Sequence, residues 1–204
     1  MKRINRAMCL GLSIFVVAST LWGCDTVSDD KASMNTAEPY ESVLATADVS
    51  GYILGENGYF EDEYICANWP SILEFNGLNV NIAQYSGVTE KGDKLFFSYV
   101  LDKGGDFNSE LRSFDFNSYS SYLTNSLNKY YKLKEFDYIV IDGHTALRAV
   151  YDYAPPDEPE KLVHVLQISI GVDGWIMGLS FTSKGEIPSY CDESAKNIKF
   201  KEGH

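Results

Sequence analysis

Alternating apolar and polar residues predict that strands dominate the chain from about Val49 onward. One pair of such runs flanks Asp142-Gly143 and a second pair flanks Asp173-Gly174. Dipeptides of this kind between alternating runs are typical of two-residue hairpin turns. The sequence therefore predicts a meander of four neighbouring antiparallel strands. Earlier strands are expected over residues 51–54, 64–75 with an interruption at Pro70, 78–83 and 95–101.

One segment changes from the period of a strand to that of a helix. Its apolar positions are Phe116, Tyr119, Leu123, Leu127 and Tyr130. Their spacing of three and four residues places them along one face of a helix. A shorter helix is expected over residues 188–198. Strands with one helix inserted and another at the end predict an α+β fold, in which one or two helices cover an antiparallel sheet.

The first 24 residues carry the pattern of an export signal. Three basic residues precede an apolar run of about 15 residues, which is short for a bilayer crossing of about 20 residues. The run ends in Leu21-Trp22-Gly23-Cys24 and resembles the lipobox of bacterial lipoproteins. The resemblance implies cleavage before Cys24 and lipidation of its thiol. An ordinary secretory signal and an uncleaved anchor are the alternatives.

This interpretation divides the chain into three parts. Residues 1–23 are the signal peptide. Residues 24–48 are the lipidated cysteine and a polar, acidic, disordered tether. Residues 49–204 are a single domain. We expect the protein at the cell membrane, held on the extracytoplasmic face by its lipid anchor.

The charge of the chain narrows the class of partner. The formal net charge is −12, and signal cleavage would remove Lys2, Arg3 and Arg6 but no acidic residue. Contacts to phosphates need clustered lysine and arginine, so this balance opposes binding to nucleic acid. We therefore expect no nucleic-acid partner.

Two cysteines remain after the signal and the lipobox are set aside, namely Cys66 and Cys191. In an exported domain such a pair predicts a disulfide. In the chain-entropy model, closing the long loop between these two cysteines stabilises the fold by about 4–5 kcal/mol. Two buried free thiols are the alternative. A redox couple is disfavoured because no Cys-x-x-Cys spacing is present.

Candidate chemistry is sparse. The three histidines, His144, His164 and His204, lack the close repeated spacing of zinc ligands. The sequence contains neither a nucleophile elbow nor a phosphate-binding glycine loop. Acidic clusters lie at 61–63 and 157–160 and at Asp102 with Asp106. The segment from Asp102 to Asp106 is expected to be a solvated hairpin loop, with calcium binding as the alternative. We expect no metal site, no cofactor and no enzymatic activity.

The order of elements also resembles a known family. The segment Gly143-His144-Thr145-Ala146-Leu147-Arg148 opens a strand after a hairpin turn, as in the PsbP-like and DcrB-like α/β-sandwich proteins, many of which are bacterial lipoproteins. The resemblance implies a PsbP-like α/β sandwich without shared catalytic residues. We expect a non-enzymatic binding or assembly-accessory module that acts on another envelope protein. The alternative is a lipoprotein that binds a small ligand or metal ion and supports transport.

Overall fold

The computed structural model describes residues 53–79, 82–103, 112–172 and 174–203. In these residues two antiparallel sheets contain eleven strands. The strands are β1 (Ile53–Leu54), β2 (Tyr59–Glu61), β3 (Ile65–Asn68), β4 (Glu74–Asn79), β5 (Ile82–Val88), β6 (Lys94–Lys103), β7 (Tyr131–Ile141), β8 (His144–Tyr153), β9 (Val163–Val172), β10 (Trp175–Ser183) and β11 (Lys199–Phe200). The helices are α1 (Phe116–Tyr122), which continues as a π-helical segment (Leu123–Leu127), and α2 (Ser189–Lys196), with 3-10 turns at Glu56–Gly58 and Pro159–Lys161.

The large sheet has seven strands in the order β4-β5-β6-β10-β9-β8-β7. Its second half contains the predicted meander, because β7, β8, β9 and β10 pair in sequence. Asp142 and Gly143 join β7 to β8 with positive φ angles of 47° and 88°. These angles suit the tight turn that the Asp-Gly dipeptide predicts. The meander prediction is confirmed.

The small sheet has four short strands in the order β1-β2-β3-β11. Its last strand comes from the end of the chain, where Lys199 pairs with Cys66 and Phe200 with Ile65. Asp62 closes the turn between β2 and β3. Its carboxylate is buried and accepts hydrogen bonds from the backbone N–H groups of Tyr64 and Ile65.

The main core lies between the two sheets. Phe60 and Ile65 of the small sheet pack with Phe97 and Tyr99 of β6 in one buried cluster. The rings of Phe60 and Tyr99 are 5.0 Å apart between centroids. We call the side of the large sheet that faces this cluster the core face. α2 closes the cluster from the end of the chain with its buried Cys191 and Ala195.

The opposite side of the large sheet, called the helix face here, carries α1. Tyr119, Tyr122 and Leu123 are buried against Leu147 and Tyr151 of β8. α1 begins at a capping box, in which the Asp115 carboxylate accepts the Ser118 N–H at 2.7 Å. This cap compensates for weak helix formers in a segment that packing must hold.

The predicted fold class is wrong. The described chain is mostly β, and the second layer on the core face is a sheet, not a helix. An α+β fold with helices covering the sheet, and with it a PsbP-like α/β sandwich, was expected because strands of two to four residues are too short to show a period. The predicted strand over residues 78–83 is also wrong, since β4 ends at Asn79 and β5 begins at Ile82. The helices at 116–127 and 189–196 are close to their predicted positions.

Candidate functional site

The outer strand of the large sheet is the candidate site. β7 runs for 11 residues, and among the described residues it pairs along one side only, with β8. No strand of the described chain lies along its other side. Such an edge can accept a strand from another chain. We call this strand, Tyr131–Ile141, the β7 edge.

The β7 edge contains a β-bulge. Leu133 pairs with Tyr151 and Glu135 pairs with Val150. Lys134 is therefore an extra residue in the backbone register, with no β8 residue directly opposite. A bulge of this kind bends the strand and shifts the alternation of its side chains by one position. The faces of the strand on either side of Lys134 therefore have to be assigned separately.

Register against β8 makes that assignment, because residues directly opposite each other share a face. Tyr131, Leu133, Phe136 and Tyr138 lie on the helix face, opposite residues that include Tyr151, Ala149 and Leu147. Lys132, Glu135 and Asp137 lie on the core face, opposite Asp152, Val150 and Arg148. Lys134 also points to this side, since its Nζ lies 2.5 Å from the Asp152 carboxylate.

The charges of the β7 edge are ordered along the strand. The two lysines, Lys132 and Lys134, come first, and the two carboxylates, Glu135 and Asp137, follow. Arg148 on β8 holds both carboxylates, with its Nη1 2.8 Å from Glu135 and 3.6 Å from Asp137. Both carboxylate side chains are still more than half exposed. They can therefore accept further hydrogen bonds from a partner.

Beyond the bulge the edge presents apolar surface. The exposed fractions are 71% for Val140 and 40% for Tyr138. The Tyr138 hydroxyl donates to the carbonyl of Phe114 at 2.7 Å, which fixes the ring beside the start of α1. Phe116, at the first position of α1, is 45% exposed. Large apolar side chains exposed together are a feature of contact surfaces.

Asp152, His164 and Ser183, which are residue types found in hydrolytic sites, lie opposite one another on three neighbouring strands. His164 Nδ1 lies 2.7 Å from Asp152 Oδ1, and Ser183 is directly opposite His164 on β10. The serine is 1% exposed, however, and its Oγ accepts the N–H of Gly185 at 3.1 Å. A substrate cannot reach a nucleophile buried in this way, so these residues do not form a hydrolytic site in this conformation.

The predicted Cys66–Cys191 disulfide is absent, and both cysteines are free thiols. Ile65 and Ala67 point into the main core, so Cys66 between them points to the outer side of the small sheet. Cys191 lies inside the same core on α2. The two side chains therefore lie on opposite sides of the small sheet. Burial raises the pKa of the Cys191 thiol to about 12.

Two carboxylates of the acidic cluster at 61–63 have structural partners. Asp62 accepts a further hydrogen bond from Tyr99, and Glu61 forms an ion pair with Lys201 at 2.6 Å. Hydrogen bonds from Lys201 and Tyr59 lower the pKa of Glu61. Among the described residues no three metal-binding side chains come together. Asp106 and His204 lie outside them.

The buried tyrosines form a separate cluster under α1. Tyr151 donates to the Gln167 side chain at 2.7 Å, and the Gln167 amide reaches Ser169. The hydroxyls of Tyr119 and Tyr122 have no hydrogen-bond partner in the described part of the chain. Burial raises the pKa of both, so they stay protonated donors. These tyrosines belong to the core.

The proposed lipidation site, Cys24, lies outside the described residues, as do the signal peptide and the tether. In the described ranges no helix has the length and apolar character needed to span a bilayer.

Comparisons with known proteins leave the family open. No family model matches the chain, and no curated protein matches it. A Bacteroides thetaiotaomicron structure has a TM-score of 0.47 at 11% identity and covers 76% of this chain, which spans 50% of that one. PA94 of Pseudomonas aeruginosa, described as a protein of unknown function, has a TM-score of 0.41 at 15% identity, with coverages of 63% and 83%. LpqN, involved in cell envelope biogenesis of Mycobacterium tuberculosis, has a TM-score of 0.41 at 10% identity, with coverages of 67% and 83%.

All three TM-scores lie below 0.5, so these likenesses assign neither a fold family nor a function. The suggested relationship to PsbP-like and DcrB-like proteins gains no support from them.

The β7 edge was not predicted as a site. The hairpin and its strands were predicted from the sequence, but no role was assigned to their charges. The signal was present in Lys132-Leu133-Lys134-Glu135-Phe136-Asp137, where two basic residues precede two acidic ones. An edge position, however, follows from strand order, and the sequence pattern of one strand does not contain that order.

Proposed function

We propose that this protein is a lipid-tethered binding module on the extracytoplasmic face of a bacterial membrane, without catalytic activity. We propose further that it engages a protein partner in the envelope by strand addition at the β7 edge. The lipobox ending in Cys24 supports the location. The observation that carries the binding role is the 11-residue β7, which is the outermost strand of the large sheet in the described chain.

Strand addition fits the chemistry of this edge. Main-chain hydrogen bonds supply affinity, and alternating side chains of the added strand supply specificity. Val140 and Tyr138 offer an apolar contact at one end of the strand. The ordered charges between Lys132 and Asp137 favour one register and one direction for the incoming strand.

Co-purification from membranes tests this role. The full-length protein is extracted in detergent with its partners, and a Val140→Lys variant is compared with it. Val140 is 71% exposed, so the substitution should spare the fold and remove the captured protein. Val88→Lys is the matched control, because Val88 is 57% exposed at the far end of β5. Equal capture by both variants would exclude the β7 edge as the binding site.

Metabolic labelling with a fatty-acid analogue tests the tether independently. The native chain should incorporate the label, and a Cys24→Ser variant should not. Equal absence of label from both would remove the membrane anchor from the proposal. The binding role at the β7 edge would then be judged by co-purification alone.

A small neutral ligand is the second candidate function. Buried hydroxyls on Ser98 and Thr182 of the helix face and on Tyr119 of α1 have no partner among the described residues. Buried polar groups are normally satisfied, so such hydroxyls can mark a place for a polyhydroxylated ligand. A thermal-shift screen with neutral sugars tests this candidate. A large shift with one sugar that is lost in Ser98→Ala would favour it over a protein partner.

A further inference from the structure

We infer that the strand added at the β7 edge is the β7 strand of a second copy, paired antiparallel about a twofold axis. In this arrangement Lys134 lies opposite Glu135 of the second copy, and Lys132 lies opposite Asp137. The inference rests on the proposed function, since it names the partner of the same edge. It makes the two large sheets one continuous sheet across the dimer.

The bulge makes this register geometrically allowed. In a regular strand, neighbouring residues point to opposite faces, so a twofold axis between two neighbours would pair side chains from different faces. Here Lys134 is the inserted residue, and both Lys134 and Glu135 point to the core face. The face pattern from Lys132 to Asp137 therefore reads the same in both directions. A twofold axis between Lys134 and Glu135 pairs every residue with one on its own face.

The charge pattern is complementary under the same axis. The two lysines precede the axis and the two carboxylates follow it, so each lysine meets a carboxylate of the second copy. Opposite charges directly across antiparallel strands are stabilising, whereas like charges are destabilising. Glu135 and Asp137 contact Arg148 of their own chain, but their side chains are 57% and 62% exposed. They therefore have free acceptor capacity for the lysines of the second copy.

The helix face of the strand is complementary as well. The same register places Leu133 opposite Phe136, and both residues lie on that face. Cross-strand pairs of aromatic and aliphatic residues stabilise a sheet. Thus the charged positions meet on one side of the joined sheet and the apolar positions meet on the other.

Charged residues and bulges at a sheet edge also serve to prevent pairing. Charges of one sign would protect the edge most strongly, because they would repel the same edge of another copy in every register. The β7 edge instead attracts its own copy in one antiparallel register, and this difference favours self-pairing over protection.

Cysteine cross-linking in the full-length chain tests the register. Lys132→Cys and Asp137→Cys variants, both in a Cys66→Ser background, are expressed together with different tags and treated in membranes with a short bis-maleimide. The mixture should give a cross-linked dimer that carries both tags. Each variant alone should not, because two copies of residue 132 would lie about 17 Å apart along the strands. Light scattering of the unmodified protein in detergent should give the mass of a dimer.

The outcomes separate this inference from the proposed function. A monomer without the mixed cross-link, which still captures an envelope protein through Val140, overturns self-pairing and leaves the binding role intact. A dimer that cross-links through residue 132 alone overturns the register. A monomer that captures nothing contradicts both. The mixed cross-link together with a dimer mass confirms the inference.

Discussion

Arg148 Nε donates a hydrogen bond to Asp192 Oδ1 at 2.9 Å, and this contact ties β8 of the large sheet to α2. The two side chains are only 15% and 19% exposed. Arg148 also reaches Glu135 on β7, and Lys196 reaches the other oxygen of Asp192 at 2.6 Å. The network therefore joins the edge strand, its neighbour and the C-terminal helix.

Replacing Arg148 with methionine should lower the free energy of unfolding by about 2 kcal/mol, between the costs of breaking an exposed and a buried ion pair. Asp192 keeps its partial burial in this variant but loses a donor. Urea unfolding measures the change. Lys91→Met is the control, because Lys91 and its partner Glu186 are 71% and 77% exposed and should contribute nothing measurable. Equal losses in the two variants would contradict a special role for Arg148.

The same network predicts how stability depends on pH. Burial raises the pKa of Asp192, but the hydrogen bonds and charges of Lys196 and Arg148 outweigh it, so the pKa lies below its ordinary value. Such a carboxylate stabilises the fold above its unfolded pKa, near pH 4, and the contribution is lost as the pH falls through the folded pKa. Asp192→Asn should therefore be less stable than the native chain at neutral pH.

Urea unfolding at a series of pH values checks this prediction. The stability difference between the native chain and Asp192→Asn should shrink below about pH 4. A difference that stays constant across the acid range would show that Asp192 is not the titrating group. Lys91→Met again serves as the control for unspecific effects of charge.

Tyr119 and Tyr151 belong to the buried cluster under α1, and loss of their hydroxyls should affect the stability of the fold differently. Tyr119→Phe removes a buried hydroxyl that has no partner in the described chain, so stability should stay equal or rise. Tyr151→Phe removes the donor to Gln167, which is 3% exposed, and should cost about 1–2 kcal/mol. Thermal and urea unfolding compare the variants. A cost for Tyr119→Phe equal to that for Tyr151→Phe would reveal a partner for Tyr119.

Local signals in the sequence predicted the meander and α1. The Asp142-Gly143 turn defines a hairpin by itself, since its two positive φ angles need residues of this kind. The helical spacing from Phe116 to Leu127 likewise contains the face that packs on the sheet. Tyr130 was wrongly included, because the helical segment ends at Leu127.

The small sheet could not be predicted, because its order depends on contacts between distant residues. Phe200 pairs with Ile65, and the two-residue strand that contains it has no period to detect. The prediction of the fold class was wrong for this reason. The ion pairs of Arg148 could not be predicted for the same reason, because Glu135 and Asp192 come from two other elements of the chain.

The cysteines also depend on contacts between distant parts of the chain. Cysteine count and export favoured a disulfide, but which side of β3 carries Cys66 follows from the pairing of that strand with β2 and β11. With both thiols free, Cys66 should react with a thiol reagent in the native protein, since it is half-buried. Cys191 should react only after unfolding, because it is fully buried and its pKa is raised to about 12.

Mass spectrometry after alkylation, with and without urea, measures both reactions on protein purified without reductant. One label on the native domain and two after unfolding are expected, counted on peptides that contain Cys66 and Cys191. Cys191→Ala should keep the native label and lose the second one. A peptide pair joined through Cys66 and Cys191 and lighter by two hydrogens would contradict the free-thiol arrangement. It would also require the Cys66 side chain to leave the outer side of the small sheet, because Cys191 lies inside the core.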